Sequence, residues 1–392
     1  MKVIQLADGF YPLIGGGSLA IRTWIENMPD VEFEVVTNAL PSQSLLERYP
    51  YSKNCYIRRF LPVDITYLPI YKGRAKIFFF PYKILSEWVR FSRKIKYLKK
   101  AEYDIIHFNG PVTNYGFFMF DRFLHCSCLT KLNDFSSLSR PKVLTLHGLP
   151  SEFTHNRADK ENEERIIRMF DNIVCVKRHI ASKVRAYSKK IGHDKNVYFI
   201  PNSVDTNLFS FAPLPNEDKL KVGFIGRLAE DNGLDLLINL IDNLPSYVEI
   251  HIAGLGKTDL IIEFKSRISK KERIHFYPNV PYKELPKIFH EIDILFNPVK
   301  VPGLSRVSLE SMSCGRPVIM INNGDRYPII HNKTGFLIKE DIHVLLELLK
   351  YLNNKREILV HIGKNARDVV EREFDHNVII PKLKSIYKSL IK

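Results

Sequence analysis

The chain has 392 residues, 45% of them hydrophobic and 26% charged, which is the composition of a soluble globular protein long enough for two domains. Its five cysteines are scattered, with Cys126 and Cys128 as the one close pair, so a disulfide framework and a cysteine-based zinc site are excluded and a cytoplasmic location is expected. The 58 Lys and Arg against 43 Asp and Glu give a formal net charge of +15, which predicts an anionic partner. We expect neither a signal peptide nor a membrane span, since no apolar stretch reaches the ~18 residues that cross a bilayer.

Short apolar stretches alternate with amphipathic helical patterns along the whole chain. Most of these stretches are apolar throughout, which is typical of strands buried on both faces of a parallel sheet. The alternation predicts α/β domains with doubly wound, Rossmann-like parallel sheets. The predicted strands are 2–7, 32–38, 103–108, 142–147, 172–176, 197–201, 221–226, 248–254, 273–278, 293–298 and 316–321.

A polar stretch with two prolines, 210–221, interrupts the alternation, which restarts with KVGFIGRL. We therefore expect a linker over 201–220, an N-terminal domain over 1–205 and a C-terminal domain over 206–375. Open parallel sheets bind ligands beyond the carboxyl ends of their strands, so two such sheets predict a ligand cleft between the domains.

The first motif, FYPLIGGGSLA (10–20), lies between the first predicted strand and a helical pattern. Its glycines let backbone N–H groups approach a ligand closely, and the start of the following helix favours an anion. The spacing differs from G-x-G-x-x-G, so a dinucleotide fingerprint is not supported. A tight turn that binds nothing is the alternative interpretation.

The segment 71–100 is dense in lysine and arginine, with Glu87 as its only acid. Such a helix can lie on an anionic membrane surface, or it can pack on its own domain while its cations are merely solvated. Nucleic acid is not an expected partner, because no recognised nucleic-acid module accompanies the charge. The apolar stripe of the predicted helix consists of Ile84, Trp88, Phe91, Ile95 and Leu98.

Two motifs in the second half carry candidate anion-binding groups. In FIGRLAEDNG (224–233), Arg227 follows a strand, where a guanidinium can grip a diphosphate. In VPGLSRVSLESMSCGRPVIM (301–320), a loop precedes a predicted helix, and the amides of the loop and the first turn form a candidate phosphate site. Glu310 in this helix needs a partner if it is buried, and a ribose diol is one; an exposed helix glutamate is the alternative.

In this order and at these distances, the motifs resemble the retaining GT-B glycosyltransferases of family four, the "group 1" transferases, over almost the whole chain. The resemblance implies two Rossmann-like domains that face each other across a cleft, and a closing helix, 376–392, that crosses back to the N-terminal domain. It also rests on His147-Gly148, PNSVDTNLF (201–209), AGLG (253–256), LESMSCGRPVI (309–319) and NKTGFLI (332–338).

The resemblance implies a role for each matching position. Arg227 would hold the leaving diphosphate, Glu310 would bind the ribose, and His147 would approach the donor sugar near the reacting carbon. His107 is interpreted as structural or as an acceptor-side residue. The further donor-binding positions are Gly16, Gly17, Asn232, Gly254, Gly256, Val280, Gly303, Leu304, Ser305 and Val307.

The sequence departs from the family pattern at two positions. Pro302 stands where the family has the first of two glutamates, a carboxylate that usually contacts the donor sugar. Asn232 replaces a lysine that contributes charge to the diphosphate site, a loss of about 1.5–3 kcal/mol of charge-assisted bonding. Arg306, at the start of the same helix as Glu310, is the expected substitute and the third candidate catalytic residue beside His147 and Arg227.

The resemblance implies a retaining glycosyltransferase that moves a hexose-type sugar from a nucleotide-diphosphate sugar to a hydroxyl. We expect a glycan or lipid-linked acceptor at the cytoplasmic membrane face, and no cofactor or metal, since the chain has no D-x-D triplet. A catalytically silent binding subunit, suggested by Pro302 and Asn232, and a sugar-nucleotide epimerase of the same fold are the alternatives.

Overall fold

The computed structural model describes most of the chain. Cys126 and Cys128, residues 13–15 of the glycine motif and residues 71–74 of the basic segment lie outside the described part. The described residues are 1–7, 9–12, 16–40, 43–62, 75–109, 138–149, 157–256, 258–268 and 272–391.

The chain divides into two compact units. Unit 1 comprises Met1–Pro201 and Ile380–Lys392, and unit 2 comprises Asn202–Ile379. The two boundaries between the units thus lie a few residues from the predicted domain limits.

Unit 1 is built on a twisted sheet with the strand order β3-β4-β2-β1-β5-β6-β7-β8. All pairs are parallel except β3 with β4, which is antiparallel. Its helices are α1 (Gly16–Glu26), α2 (Ala75–Leu98), α3 (Arg157–Met169) and α4 (Arg178–Lys190). Its strands are β1 (Lys2–Leu6), β2 (Glu32–Asn38), β3 (Leu46–Arg48), β4 (Cys55–Phe60), β5 (Ile105–Asn109), β6 (Lys142–Leu146), β7 (Asn172–Cys175) and β8 (Asn196–Phe199).

Unit 2 is built on a wholly parallel sheet with the order β11-β10-β9-β12-β13-β14. Its strands are β9 (Leu220–Arg227), β10 (Val248–Leu255), β11 (Ile274–Pro278), β12 (Ile294–Phe296), β13 (Val318–Ile321) and β14 (Phe336–Ile338). Its helices are α5 (Leu234–Asp242), α6 (Thr258–Ile268), α7 (Leu285–Glu291), α8 (Arg306–Ser313), α9 (Ile342–Asn354), α10 (Glu357–Phe374) and the start of α11 (His376–Leu390).

The prediction of two parallel-sheet α/β domains is confirmed, and each predicted strand has its counterpart in the structure. The strands β3, β4 and β14 were not predicted. β3 and β14 have only three residues each, and β4 alternates buried and more exposed side chains because it lies next to the edge of its sheet. Such elements carry little of the continuous apolar signal that marks the central strands.

The predicted linker is wrong over most of its length, because residues 202–219 belong to unit 2. Val204 and Phe209 are fully buried there. Val204 exchanges backbone hydrogen bonds with the junction of α10 and α11, and the Thr206 hydroxyl donates to Asp375 Oδ2 over 2.6 Å. The polar composition of 210–221 concealed this packing, since apolar side chains just upstream of it provide the contacts.

The C-terminal helix α11 starts in unit 2, and its larger part, from Ile380 on, belongs to unit 1, as the resemblance predicts. In unit 1, Lys384 Nζ donates to Asp30 Oδ1 over 2.7 Å, and the buried Tyr387 hydroxyl accepts from Gln5 Nε2 over 3.0 Å. These contacts fix the end of α11 to the core of unit 1.

The basic helix α2 differs from the interpretation in which its cations are merely solvated. Trp88 of the predicted apolar stripe is 40% exposed, whereas Arg90 and Lys94 are buried. Lys94 Nζ donates to Asn38 Oδ1 over 2.7 Å, and Arg90 Nη1 donates to Pro62 O over 3.0 Å. Two of the cations of α2 therefore pack inside unit 1. Ile95 and Leu98, at the end of the predicted apolar stripe, are also buried, as predicted.

Candidate functional site

The motif residues of unit 2 gather at the carboxyl edge of its sheet. Gly226 lies opposite Gly254 in the pairing of β9 with β10, and Gly254 lies opposite Pro278 in the pairing of β10 with β11. Because parallel strands end at the same edge, the segments that follow them share that edge, where ligands of open α/β sheets bind. The structure thus brings together Arg227, Gly254, Gly256 and Val280.

Arg227 ends β9 with an exposed guanidinium. Its Nη2 atom lies 2.7 Å from Asp231 Oδ2, and the two side chains are 64% and 38% exposed. Exposed ion pairs of this kind contribute little stability, so an anionic ligand can replace Asp231 at low cost. The Asn232 amide donates to Arg227 O over 3.0 Å and closes the turn that follows the strand. Asn232 therefore stabilises the turn that follows β9.

The loop 299–305, which precedes α8, is fixed by a buried arginine. Arg326 is 2% exposed, and burial lowers its pKa to about 10, so it keeps its charge at neutral pH. The guanidinium turns the loop carbonyls toward itself, because an arginine offers several donors in a rigid fork. Its donors reach Ile321 O (2.9 Å), Val301 O (2.7 Å), Gly303 O (2.7 Å) and Val299 O (2.8 Å).

A second set of hydrogen bonds fixes the start of α8. Ser305 is the N-cap, and its side chain accepts from the Ser308 backbone N–H over 3.2 Å. The buried Asn297 amide donates to the Ser305 and Ser308 hydroxyls over 2.6 and 2.8 Å. Since the first N–H groups of a helix have no intrahelical acceptor, this start presents backbone donors and the positive end of the helix dipole. Gly303, Leu304 and Val307 flank the same point.

Glu310 lies one turn inside α8 and is 1% exposed, so the exposed-glutamate interpretation is wrong. Its partner in the structure is the Tyr282 hydroxyl, which donates to Glu310 Oε1 over 3.0 Å. Burial raises the pKa of Glu310 to about 7, while the positive charge of Arg306 opposes that rise. Arg306 Nη1 also donates to Ser203 O over 3.3 Å. At neutral pH this carboxyl is therefore poised between its two protonation states.

Unit 1 brings together two of its predicted site residues. A Cβ added to Gly17, in the first turn of α1, would lie 3.8 Å from Cδ2 of His147. The ring of His147 also stacks on Trp24 of the same helix, with the ring centroids 6.2 Å apart. His147 directly follows β6, so its ring lies beside the start of α1 at the carboxyl edge of this sheet. Gly16 begins α1.

His107 is part of a buried, neutral hydrogen-bond network. Its Nδ1 lies 2.5 Å from the Tyr387 hydroxyl, and its Nε2 lies 2.6 Å from Thr145 Oγ1. Burial, with a smaller contribution from His147, lowers the pKa of His107 to about 3, so the ring is uncharged at neutral pH. Gln5 Nε2 donates to the same tyrosine hydroxyl. Both ring nitrogens are thus satisfied inside unit 1, which supports the structural interpretation of His107.

The sequence interpretation missed the residues that hold this site: Arg326, Asn297 and Tyr282. Asn297 has a recognisable signal, since it directly follows the short strand β12, where site residues of parallel sheets stand. Arg326 lies in an irregular segment and Tyr282 begins a three-residue 3₁₀ helix, and the burial of both depends on packing that no local pattern reports. Among the described residues, the one group of three potential metal ligands lies elsewhere, on Glu249, His251 and His275.

Two parallel-sheet α/β units, with a C-terminal helix that starts in the second and ends in the first, have the architecture of the GT-B fold. Residues 14–208 match the family described as Glycosyltransferase Family 4, and residues 205–369 match Glycosyl transferases group 1. The chain therefore belongs to the group 1 glycosyltransferases of family four.

Similar proteins agree with this assignment. An uncharacterized glycosyltransferase of Methanocaldococcus jannaschii is 23% identical over 394 residues, which cover 100% of this chain and 99% of that protein. Sucrose-phosphate synthase from Thermosynechococcus elongatus has a similar structure, with a TM-score of 0.76 at 17% identity over 99% of this chain and 98% of that one. HepE of Anabaena, solved with UDP and glucose, has a TM-score of 0.70 at 17% identity over 100% of both chains.

Proposed function

We propose that this glycosyltransferase moves a hexose-type sugar from a nucleotide-diphosphate sugar to a hydroxyl acceptor with retention at the anomeric carbon. The observation that carries the proposal is the loop 299–305, whose carbonyls are held by Arg326 directly before the capped start of α8. A rigid array of backbone donors beside Arg227 and Arg306 suits a diphosphate, which is rich in acceptors and carries no donor when ionised.

In this proposal the two arginines and the start of α8 stabilise the charge that develops on the leaving diphosphate. Glu310 accepts hydrogen bonds from the ribose hydroxyls, which take over from or join the Tyr282 hydroxyl. The structure of HepE with UDP-glucose supports a nucleotide sugar as the donor of this fold. The backbone near Gly254, Gly256 and Val280 lines the nucleotide.

The reaction we propose uses no metal and no cofactor. The bond from the anomeric carbon to the diphosphate breaks as the acceptor hydroxyl attacks from the same face, and the hydroxyl proton passes to an oxygen of the departing diphosphate. Arginine charge takes the place of a divalent cation on the leaving group. His147 lies beside Gly17, where its imidazole edge or its adjacent backbone can contact a sugar. Comparing the anomeric configuration of donor and product by NMR tests retention, and an inverted product would contradict it.

We further propose a lipid-linked sugar or polysaccharide precursor as acceptor, at the cytoplasmic face of the membrane. Tyr82, Leu85 and Trp88 of α2 are 46%, 59% and 40% exposed and stand among lysines and arginines, a combination that favours an anionic lipid surface. No helix of the described residues is long and apolar enough to cross a bilayer.

Flotation with liposomes tests this attachment. The protein should float with anionic lipid and remain behind with neutral lipid, and the double variant Leu85→Ser, Trp88→Ser should lose flotation. Equal recovery with both lipids would contradict the proposal.

A catalytically silent binding subunit is the second candidate, and two positions favour it. Pro302 replaces the first glutamate and packs near Gly324, where an added Cβ would lie 3.2 Å from Pro302 Cβ. The Asn232 side-chain amide donates its hydrogen bond to a backbone carbonyl in the turn after β9. Release of nucleoside diphosphate by the purified protein separates the candidates, since a silent subunit binds the nucleotide without turning it over.

A thermal-shift screen against UDP-, GDP-, ADP- and TDP-sugars tests the donor class. A ligand at 100 times its Kd stabilises the folded protein by about 2.7 kcal/mol. One nucleotide should stand out from the others, and a melting temperature that none of them raises would contradict nucleotide-sugar dependence.

A further inference from the structure

A group of histidine and glutamate side chains lies on the sheet of unit 2, away from the carboxyl edge. Glu249 and His251 are two residues apart on β10, and His275 lies on β11 directly opposite His251. Residues two apart on a strand share a face, and directly opposed residues on neighbouring strands also do, so the three side chains project together. Glu249 and His251 lie in the first half of β10, whereas Gly254 stands near its end and Gly256 directly follows it.

The side chains converge on one point. Glu249 Oε1 lies 3.1 Å from His251 Nε2 and 3.1 Å from His275 Nε2, and the three ligand atoms lie within 4.8 Å of one another. Ligand atoms around a tetrahedral zinc ion, with bonds of roughly 2.0–2.1 Å, are separated by about 3.3 Å. The two carboxylate–imidazole distances match this value, and a small inward shift of the exposed His275 ring brings the third into range.

A second layer of hydrogen bonds orients the buried ligand. His251 Nδ1 lies 3.2 Å from the Tyr277 hydroxyl and 3.8 Å from Glu291 Oε2, while Tyr277 itself lies 3.3 Å from Glu291. A hydrogen bond at one ring nitrogen fixes the tautomer and leaves the other nitrogen free to ligate, which is the usual support of metal-bound histidines. Here Nε2 faces Glu249, so the ring is already turned toward the convergence point.

The three side chains differ in how far they are exposed to solvent. His251 and Glu249 have side chains that are 5% and 17% exposed, whereas that of His275 is 42% exposed. An ion can therefore enter from the His275 side, and water can complete its coordination there. Two imidazoles and a carboxylate are the donor set that suits zinc and related divalent transition metals, rather than magnesium or calcium.

We propose that Glu249, His251 and His275 bind one divalent transition-metal ion, of which Zn²⁺ is the best fit, with water as the fourth ligand. The ion joins β11, at the edge of the sheet, to its neighbour β10 and so stabilises unit 2. This metal site is independent of the donor site and takes no part in sugar transfer. Without the ion, each imidazole Nε2 donates its hydrogen to Glu249 Oε1. The ion takes the place of these hydrogens, and the neutral His251 ring then carries its hydrogen on Nδ1, toward the Tyr277 hydroxyl.

The test is a titration of the full-length protein, free of any histidine tag, with Co²⁺ as the spectroscopic probe. One equivalent should bind and give the visible absorption of a nitrogen- and oxygen-ligated site, and one equivalent of Zn²⁺ should displace it. Thiolate charge-transfer bands would point to cysteines instead and would overturn the proposal, as would the absence of saturable binding.

Variants identify the ligands. The His275→Ala and Glu249→Gln proteins should bind Co²⁺ more weakly by a larger factor than the roughly 10–100-fold typical of a second-layer change, and Tyr277→Phe should fall within that range. His343→Ala, at an exposed histidine in the same unit, is the matched control and should bind as the parent does. Unchanged affinity in His275→Ala would overturn the proposal, and circular dichroism confirms that each variant is folded.

Discussion

The carboxyl edges of the two sheets differ in charge. In unit 1, Gln5, His107, Thr145 and Tyr387 are buried and bonded to one another, and the low pKa of His107 keeps the network neutral. In unit 2, the same kind of edge carries the exposed Arg227, the half-buried Arg306 and the buried Glu310, whose pKa of about 7 leaves it poised to ionise.

Under the proposed function, this difference gives different tasks to two units of the same architecture. A diphosphate needs charge and backbone donors that are in place before it binds, and unit 2 supplies both. A neutral, fully bonded network cannot hold a diphosphate, but it can fix the His147 ring, which stacks on the same Trp24 as His107 does. Changes at the carboxyl edge of unit 2 should therefore alter nucleotide affinity, and changes in the unit 1 network should alter stability alone.

The largest expected effect comes from the buried arginines of unit 2. Arg326→Met should lower the free energy of unfolding by roughly 3–5 kcal/mol, because several buried carbonyls each lose a hydrogen bond worth about 1–3 kcal/mol. Nucleoside diphosphate affinity should fall with it, since the loop 299–305 loses its support. Denaturant unfolding and calorimetric titration measure the two effects.

Arg316→Met is the control for this change. Arg316 is also fully buried, but its donors reach the carbonyls of Ala212, Pro213 and Phe289, away from the loop. It should lose similar stability while the folded protein keeps its nucleotide affinity. If both variants lost affinity equally, the specific role of Arg326 would be contradicted.

Glu310→Gln should have the next largest effect, and it depends on pH. A carboxyl whose pKa is raised by folding binds more protons in the folded state, so its contribution to stability falls as pH rises. A rise to about 7 corresponds to about 3 kcal/mol of lost stability above pH 7, and this loss is absent below pH 4. The glutamine variant should therefore gain stability relative to the parent between pH 5 and pH 8, while it binds the nucleotide less tightly. A stability difference between Glu310→Gln and the parent that stays constant with pH would contradict a buried Glu310 with a raised pKa.

Tyr387→Phe tests the neutral network of unit 1. The variant removes a hydroxyl that Gln5 and His107 share, and it should cost about 1–2 kcal/mol of unfolding free energy without changing nucleotide affinity. Tyr56→Phe, at a residue that is 40% exposed, is the control and should change stability by less than about 0.5 kcal/mol. Weaker nucleotide binding in Tyr387→Phe alone would contradict the separation of tasks.

The positions of most strands and the class of the fold could be predicted because continuous apolar runs and glycine-marked turns are local signals. Arg227 and Glu310 could be found by their position after a strand and within a short helix. The support by Arg326 could not, because its four acceptors come from segments up to 27 residues away. The burial of Arg90 and Lys94 in α2 could not be predicted for the same reason. The helical period predicts which side chains share a face of the helix, but the burial of these two depends on acceptors in other segments.

The smallest expected effect is a gain. Asn232→Lys restores a cation near Arg227 and should tighten nucleotide binding by roughly tenfold or less, about 1 kcal/mol, because the new charge is offset by loss of the amide that bonds Arg227 O. Asn243→Lys adds the same charge at an exposed position after α5 and should leave the Kd unchanged. Equal tightening in both variants would show that net charge alone, rather than the turn after β9, governs affinity.

The central claim is that unit 2 holds the diphosphate through the edge formed by Arg227, Arg306 and the start of α8. Calorimetric titration of the parent, Arg306→Ala and Arg372→Ala with the nucleoside diphosphate selected by the thermal-shift screen tests it most directly. Arg372 is an exposed arginine on α10 and should tolerate the change. The account predicts that Arg306→Ala abolishes measurable binding while Arg372→Ala binds as the parent does; an unchanged Kd for Arg306→Ala would contradict it.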